Sequence, residues 1–189
     1  MKIRATAQFA ILIVAALFSA TEPSIAQDKG KTAAAELTRD AQASLKQLNS
    51  TAPLARQLGP KAVAILVFPS VKKAGLGIGG QYGEGALLRG GNSTAFYKTT
   101  GASFGLQAGG QQYGYAMFFM NERALAQLNA AKGFEVGIGP SVVMVDEGMA
   151  KTTTTTTMKD DIYAFVFSQK GLMAGLGIQG NKITKITPK

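Results

Sequence analysis

From Ala33 to Leu48 the apolar positions Ala34, Leu37, Ala41, Leu45 and Leu48 return at intervals of three and four residues. That spacing draws one stripe along a helix, with Glu36, Arg39, Asp40 and Lys46 on the other faces. The stripe is alanine and leucine without an aromatic, so it predicts a helix packed on the domain and only weak insertion into a membrane. A second short helix is predicted from Thr51 as cap, with Pro53 in the first turn, to Gly59. After Pro60 the period changes. Ala62 to Phe68 is a continuous apolar run ending at Pro69, the pattern of a strand buried on both faces, and Ile162 to Phe167 has the same character.

Four related segments follow a different rule, at residues 75–80, 104–110, 134–140 and 174–180. In the first and last, glycine alternates with leucine or isoleucine, so one face of the strand carries side chains and the other is bare backbone. Glycine weakens a strand, and its repeated use predicts tight curvature, bulges, or a close neighbour lying against the bare face. Residues 83–89, 95–99, 110–120 and the threonine run 152–157 are further strands. Asn121 caps a helix that Lys132 ends and Gly133 stops. The expected fold class is α+β: a curved, barrel-like, mostly antiparallel glycine-rich sheet with helices at the amino terminus and one inserted helix.

The first residues carry a different signal. Lys2 and Arg4 precede an apolar run from Phe9 to Phe18, and Ser24-Ile25-Ala26 offers small residues for cleavage. The run is about ten residues, against the roughly 20 that a membrane-crossing helix needs. We read residues 1–26 as a signal peptide cut after Ala26, residues 27–189 as a single domain, and the protein as periplasmic or secreted. With no cysteine and no histidine, the chain lacks the parts of thiolate sites, the usual zinc sites, Ser-His-Asp triads and Cys-His dyads. The pairs Asp146-Glu147 and Asp160-Asp161 are sequence neighbours, which on a strand point to opposite faces, so each reads as a turn and not as an acid/base couple. Glycines 75, 77 and 80, and again 175, 177 and 180, match a dinucleotide-binding spacing without the helix that would present N–H groups to phosphate. No enzyme and no cofactor is expected.

The net charge is +9, and the excess favours anionic partners. The basic residues are scattered, without aromatic interleaving, which points away from nucleic acid. Lys72-Lys73, just before the first glycine-rich strand, is the densest basic spot, with Lys61 and Arg89 nearby if the strands pair in order. An outer-membrane barrel is disfavoured by the absence of tryptophan and by the two-sided apolar runs.

Residues 61–69 (Lys-Ala-Val-Ala-Ile-Leu-Val-Phe-Pro), 73–80 with the Tyr82-Gly-Glu-Gly85 sequel, 103–107, and 170–176 onward come in an order that resembles the SYLF domain, of the yeast actin-binding Las17-binding-protein type. The resemblance runs from about Ala33 to Ile186. It implies a lipid-binding domain whose eukaryotic members bind phosphoinositides through an amphipathic amino-terminal helix and basic residues, some of them bundling actin. Behind an export signal no actin partner is expected, and the transferable property is affinity for anionic phospholipid headgroups or a membrane surface. Lys61, Lys72, Lys73, Arg89, Arg39 and Lys46 are the candidate lipid-binding residues. The alternative is a structural or protein-binding envelope protein that self-associates, as a homo-oligomer, through its glycine-rich sheet.

Overall fold

The structure, a computed structural model, describes residues 24–129, 133–136, 140–145, 159–171 and 180–189. Residues 1–23 of the segment read as a signal peptide, Asp146-Glu147, the threonine run and most of the last glycine-rich segment lie outside these residues. Among the described residues are helices α1 (Ser24–Thr51), α2 (Pro53–Leu58) and α3 (Glu122–Leu128). The strands are β1 (Ala64–Arg89), β2 (Asn92–Phe119), β3 (Phe134–Glu135), β4 (Val142–Val145), β5 (Ile162–Gly171) and β6 (Lys182–Ile186).

The stretches expected as separate strands are two very long ones. Pro69 was expected to end the first, yet β1 passes through it. The register shifts between Phe68 and Val71, and a bulge there accommodates a residue with no N–H to donate. β1 and β2 then pair antiparallel from Ala64 with Phe119 to Arg89 with Asn92. They are joined by Gly90-Gly91, whose φ angles of 56° and 84° fit the two-residue hairpin turn that needs left-handed backbone at both positions.

This hairpin is folded back on itself at its glycine-rich middle. A Cβ on Gly75 would collide with the backbone of Gly79, a crossing only glycine allows. Beyond the bend, Gly83 and Gly85 face the first half of the same strand: a Cβ on Gly83 would stand 2.8 Å from the Ser70 carbonyl oxygen. Close approach to a bare face, expected for residues 75–80, is found at Gly75, while Gly80 is open with its nearest neighbour, the Gly101 carbonyl, at 3.9 Å; most of the last such segment lies outside the described residues. β2 carries the fold through both halves. Its residues 96–100 pair with β6, and its residues 111–119 pair with β5 on the same edge. β3 completes one end, and β4, the single parallel neighbour among the described strands, the other. The result is a curled half-barrel, mostly antiparallel.

Alternation sorts the two faces. Ala64, Leu66 and Phe68 of β1, with Tyr115, Met117 and Phe119 of β2, line the concave face together with α3. Ile65 and Val67, with Ala116, Phe118, Tyr163 and Phe165, form the convex face, covered by Ala41 and Leu48 of α1 and Leu54, Ala55 and Leu58 of α2. The two-sided burial read from residues 62–68 and 162–167 holds. Ala41, Leu45 and Leu48 of the α1 stripe are therefore spent on the sheet, and Gln42 Nε2 ties the helix to the hairpin turn by donating to the Gly91 carbonyl at 2.8 Å.

The helix boundaries differ from expectation in two places. Thr51 does not cap α2; it is the last residue of α1, with Oγ1 donating back to the Gln47 carbonyl, and Ala52 precedes α2 without a side-chain cap. α3 ends at Leu128, earlier than Lys132. Its start is as read: Asn121 Oδ1 accepts from the Ala124 N–H at 2.8 Å, and Asn121 Nδ2 donates to Asp161 at 2.7 Å. Asp161 is in the connection before β5. The hydrogen bond from Asn121, then the Arg123 guanidinium, hold its carboxyl below the usual range.

A buried polar group crosses the two halves of the folded hairpin. Tyr113 of the base half donates to Gln81 Oε1 of the tip half at 2.8 Å, and Gln81 Nε2 donates to Asn181, which precedes β6. Burial pushes the Tyr113 phenol up to about 12, so it stays a donor throughout the neutral range. Gln81 is 6% exposed and Asn181 2%, so losing any partner leaves a desolvated amide.

Candidate functional site

Strand pairing decides which cations stand together. Lys72 pairs with Gln112, and Gln112 with Lys170, so these three form one row across three strands. Paired residues project to the same face, and the outer two backbones lie two strand spacings apart, about 10 Å. Both lysines are exposed. They can reach a single anion held over the Gln112 amide. Lys73 is one residue on, in the row with Gln111 and Gly171, and so projects to the opposite face, half-buried.

The bend adjoining this row exposes apolar surface. Ile78 is 71% exposed and Tyr82 49%, the two large hydrophobic side chains left in solvent among the described residues. Residues 78, 80 and 82 alternate onto one face of the strand, and Gly80 between them is bare. Tyr82 belongs to the row Tyr82–Thr100–Lys182, which adds a cation beside it. Its hydroxyl donates to Glu84 at 2.5 Å, and this hydrogen bond, more than burial, raises its pKa.

The other sequence candidates are elsewhere. Arg89 stands at the tip of the hairpin, where its Nε donates to the Val63 carbonyl at 3.2 Å and its guanidinium pairs with Glu122 at the start of α3. That places it near Lys61, which follows α2 and is exposed, and not beside Lys72-Lys73, where in-order pairing was expected to bring both. Neither is near Lys72. The strand from Val63 to Lys72 is nine residues, roughly 30 Å at the usual rise. Arg39 and Lys46 are exposed on α1, and Arg39 lies 3.6 Å from Asp40. The structure therefore divides the six candidates into the bend (Lys72, with Lys73 behind it), the tip (Lys61, Arg89) and the helix (Arg39, Lys46). It also brings in Lys170, Gln112, Ile78 and Tyr82, which the sequence did not mark. Among the described residues no group of three or more acidic side chains is placed to hold a metal ion, and no helix is long and apolar enough to cross a membrane.

A family model described as Las17-binding protein actin regulator (Ysc84) matches residues 100–187. That segment, a little under half of the chain, is similar to this family and consistent with the SYLF resemblance read from the sequence. Such domains are associated with lipid- or actin-binding roles and form a family of binding domains. No curated protein matches the chain. The matched segment opens inside β2, at Thr100, while the partner strand β1 and the covering helix α1 precede it. Both hydrophobic cores join residues from before and after that point, so the matched segment shares its packing with the chain back to α1.

Proposed function

We propose that this SYLF-like protein is a non-enzymatic lipid-binding protein of the cell envelope, exported and cut after Ala26. It docks on anionic phospholipid headgroups with the bend of its folded hairpin. One observation carries the reading: Ile78, an aliphatic side chain 71% exposed, stands in the same glycine-rich bend of β1 that follows the Lys72–Gln112–Lys170 row. An exposed apolar side chain flanked by lysines has little reason in water alone, whereas at a bilayer the chain enters the interface and the cations meet phosphates. The net charge, +9 for the full sequence and 9 − 1 = +8 without Lys2, Arg4 and Glu22, strengthens the attraction at long range. α1 contributes charge through Arg39 and Lys46, while Ala41, Leu45 and Leu48 of its stripe remain on the sheet.

The test is co-sedimentation of the protein with vesicles of phosphatidylcholine alone and of phosphatidylcholine with phosphatidylglycerol, across a salt series. Binding is expected only with phosphatidylglycerol, falling steeply as the Debye length contracts from about 10 Å at 0.1 M salt to about 3 Å at 1 M. Equal binding to both vesicles, or none to either at low salt, contradicts the proposal.

A further inference from the structure

A second feature stands away from the bend. The amino-terminal turns of α1, the first residues of β2 and the carboxy-terminal residues enclose an open groove of about 790 Å³. Its walls are apolar: Ala34 from the helix, Ala95 and Phe96 from β2, and Ile186 and Pro188 from the end of the chain. Its rim is not. Lys29, Lys31, Lys185 and Lys189 line it and all four are exposed; no Asp or Glu is among the lining residues, so the α-carboxylate of Lys189 offsets only one of the four positive charges. Asp28 is the nearest acid in sequence, and among the described residues none of the four lysines makes an ion pair. The Ser93 hydroxyl, also in the lining, is buried and lacks a hydrogen-bond partner among the described residues. Gly30 sets how closely the helix approaches: a Cβ there would stand 3.2 Å from the Pro188 carbonyl.

An apolar trough with a cationic rim is complementary to a molecule with an apolar tail and one anionic end. Its size falls in the range of small-molecule sites, roughly 300–1,000 Å³, and it is far too small for a bilayer surface. We infer that the groove holds a single long-chain fatty-acid anion, the chain along Ala34, Phe96 and Ile186 and the carboxylate among the lysines. The inference deepens the lipid reading but uses a separate place: Ala95 pairs with Leu87, nine residues from Ile78, roughly 30 Å along the strand. The bend would then grip a membrane surface while the groove keeps one acyl chain from it.

The test uses the protein purified as the cell makes it, titrated calorimetrically with decanoate, dodecanoate and the neutral dodecanol, each below its aggregation limit. Dodecanoate is expected to bind one to one, about 15-fold tighter than decanoate, since each buried methylene contributes roughly fourfold. Dodecanol is expected to bind more weakly. Ala34→Trp, which fills the trough, should abolish dodecanoate binding, and Lys185→Glu should weaken it about fivefold or more. Both variants should keep the vesicle binding that belongs to the bend. Absence of dodecanoate binding in a protein that still sediments with anionic vesicles overturns the groove alone. Binding indifferent to head charge and to both substitutions also overturns it. Dodecanoate binding without vesicle binding leaves the groove standing and removes the docking surface instead.

Discussion

Gly85→Val is expected to cost about 4 kcal/mol or more, most of the stability of a domain of this size. The sign is not obvious from the sequence. On a strand, valine is preferred to glycine by up to about 1 kcal/mol, so a surface position would gain. At Gly85 the new Cβ meets the Val67 carbonyl oxygen and stands 2.6 Å from the Phe68 ring. The ring could turn aside, but it is fully buried and stacked 5.8 Å from Tyr115. The carbonyl belongs to the backbone of the facing half-strand and cannot move without opening the fold of the hairpin. Gly110→Ala is the matched comparison: its nearest neighbour beyond the chain is the Lys73 carbonyl at 3.9 Å, so it should change stability by less than about 0.5 kcal/mol. Urea unfolding of both variants checks the pair. Similar midpoints would mean that the two halves of β1 do not lie against each other.

Neutralising the cation row is the largest expected effect on function. Lys72→Gln with Lys170→Gln should weaken binding to phosphatidylglycerol vesicles about thirtyfold, from roughly 1 kcal/mol per lysine near an anionic surface. Both side chains are exposed and unpaired among the described residues, so folding should be unchanged. Arg39→Gln with Lys46→Gln removes the same charge from α1, and an effect of long-range attraction alone would make the two doubles equal. A site at the bend makes the first double much the weaker binder. Sedimentation at fixed vesicle concentration and low salt separates these outcomes.

The parts of the fold legible in the sequence were those set by local period. The stripe on α1, the two-sided runs at 62–68 and 162–167, and the Asn121 cap each follow from neighbours within a few residues. The union of short strands into β1 and β2 was not legible, because Pro69 and the glycine clusters read locally as breaks, and pairing across the whole hairpin overrides them. The same distinction governs the site. Lys72 and Lys73 looked like one basic cluster, yet strand alternation, the rule that separated the acidic pairs, also sends these two to opposite faces. Lys170 joins Lys72 only through the register of β1, β2 and β5, which a single sequence does not display. The groove draws on residues 29–34, 93–96 and 185–189, three stretches brought together by tertiary packing and without a shared motif.

The chain has no tryptophan, so Ile78→Trp places a single indole at the point of the bend. The most direct measurement is its emission spectrum as vesicles are added. With phosphatidylglycerol present, a blue shift is expected that saturates, reverses on adding salt to about 1 M, and is absent with phosphatidylcholine alone. An indole that stays water-exposed while the protein sediments with anionic vesicles would place the contact on another face and contradict the docking site at the bend.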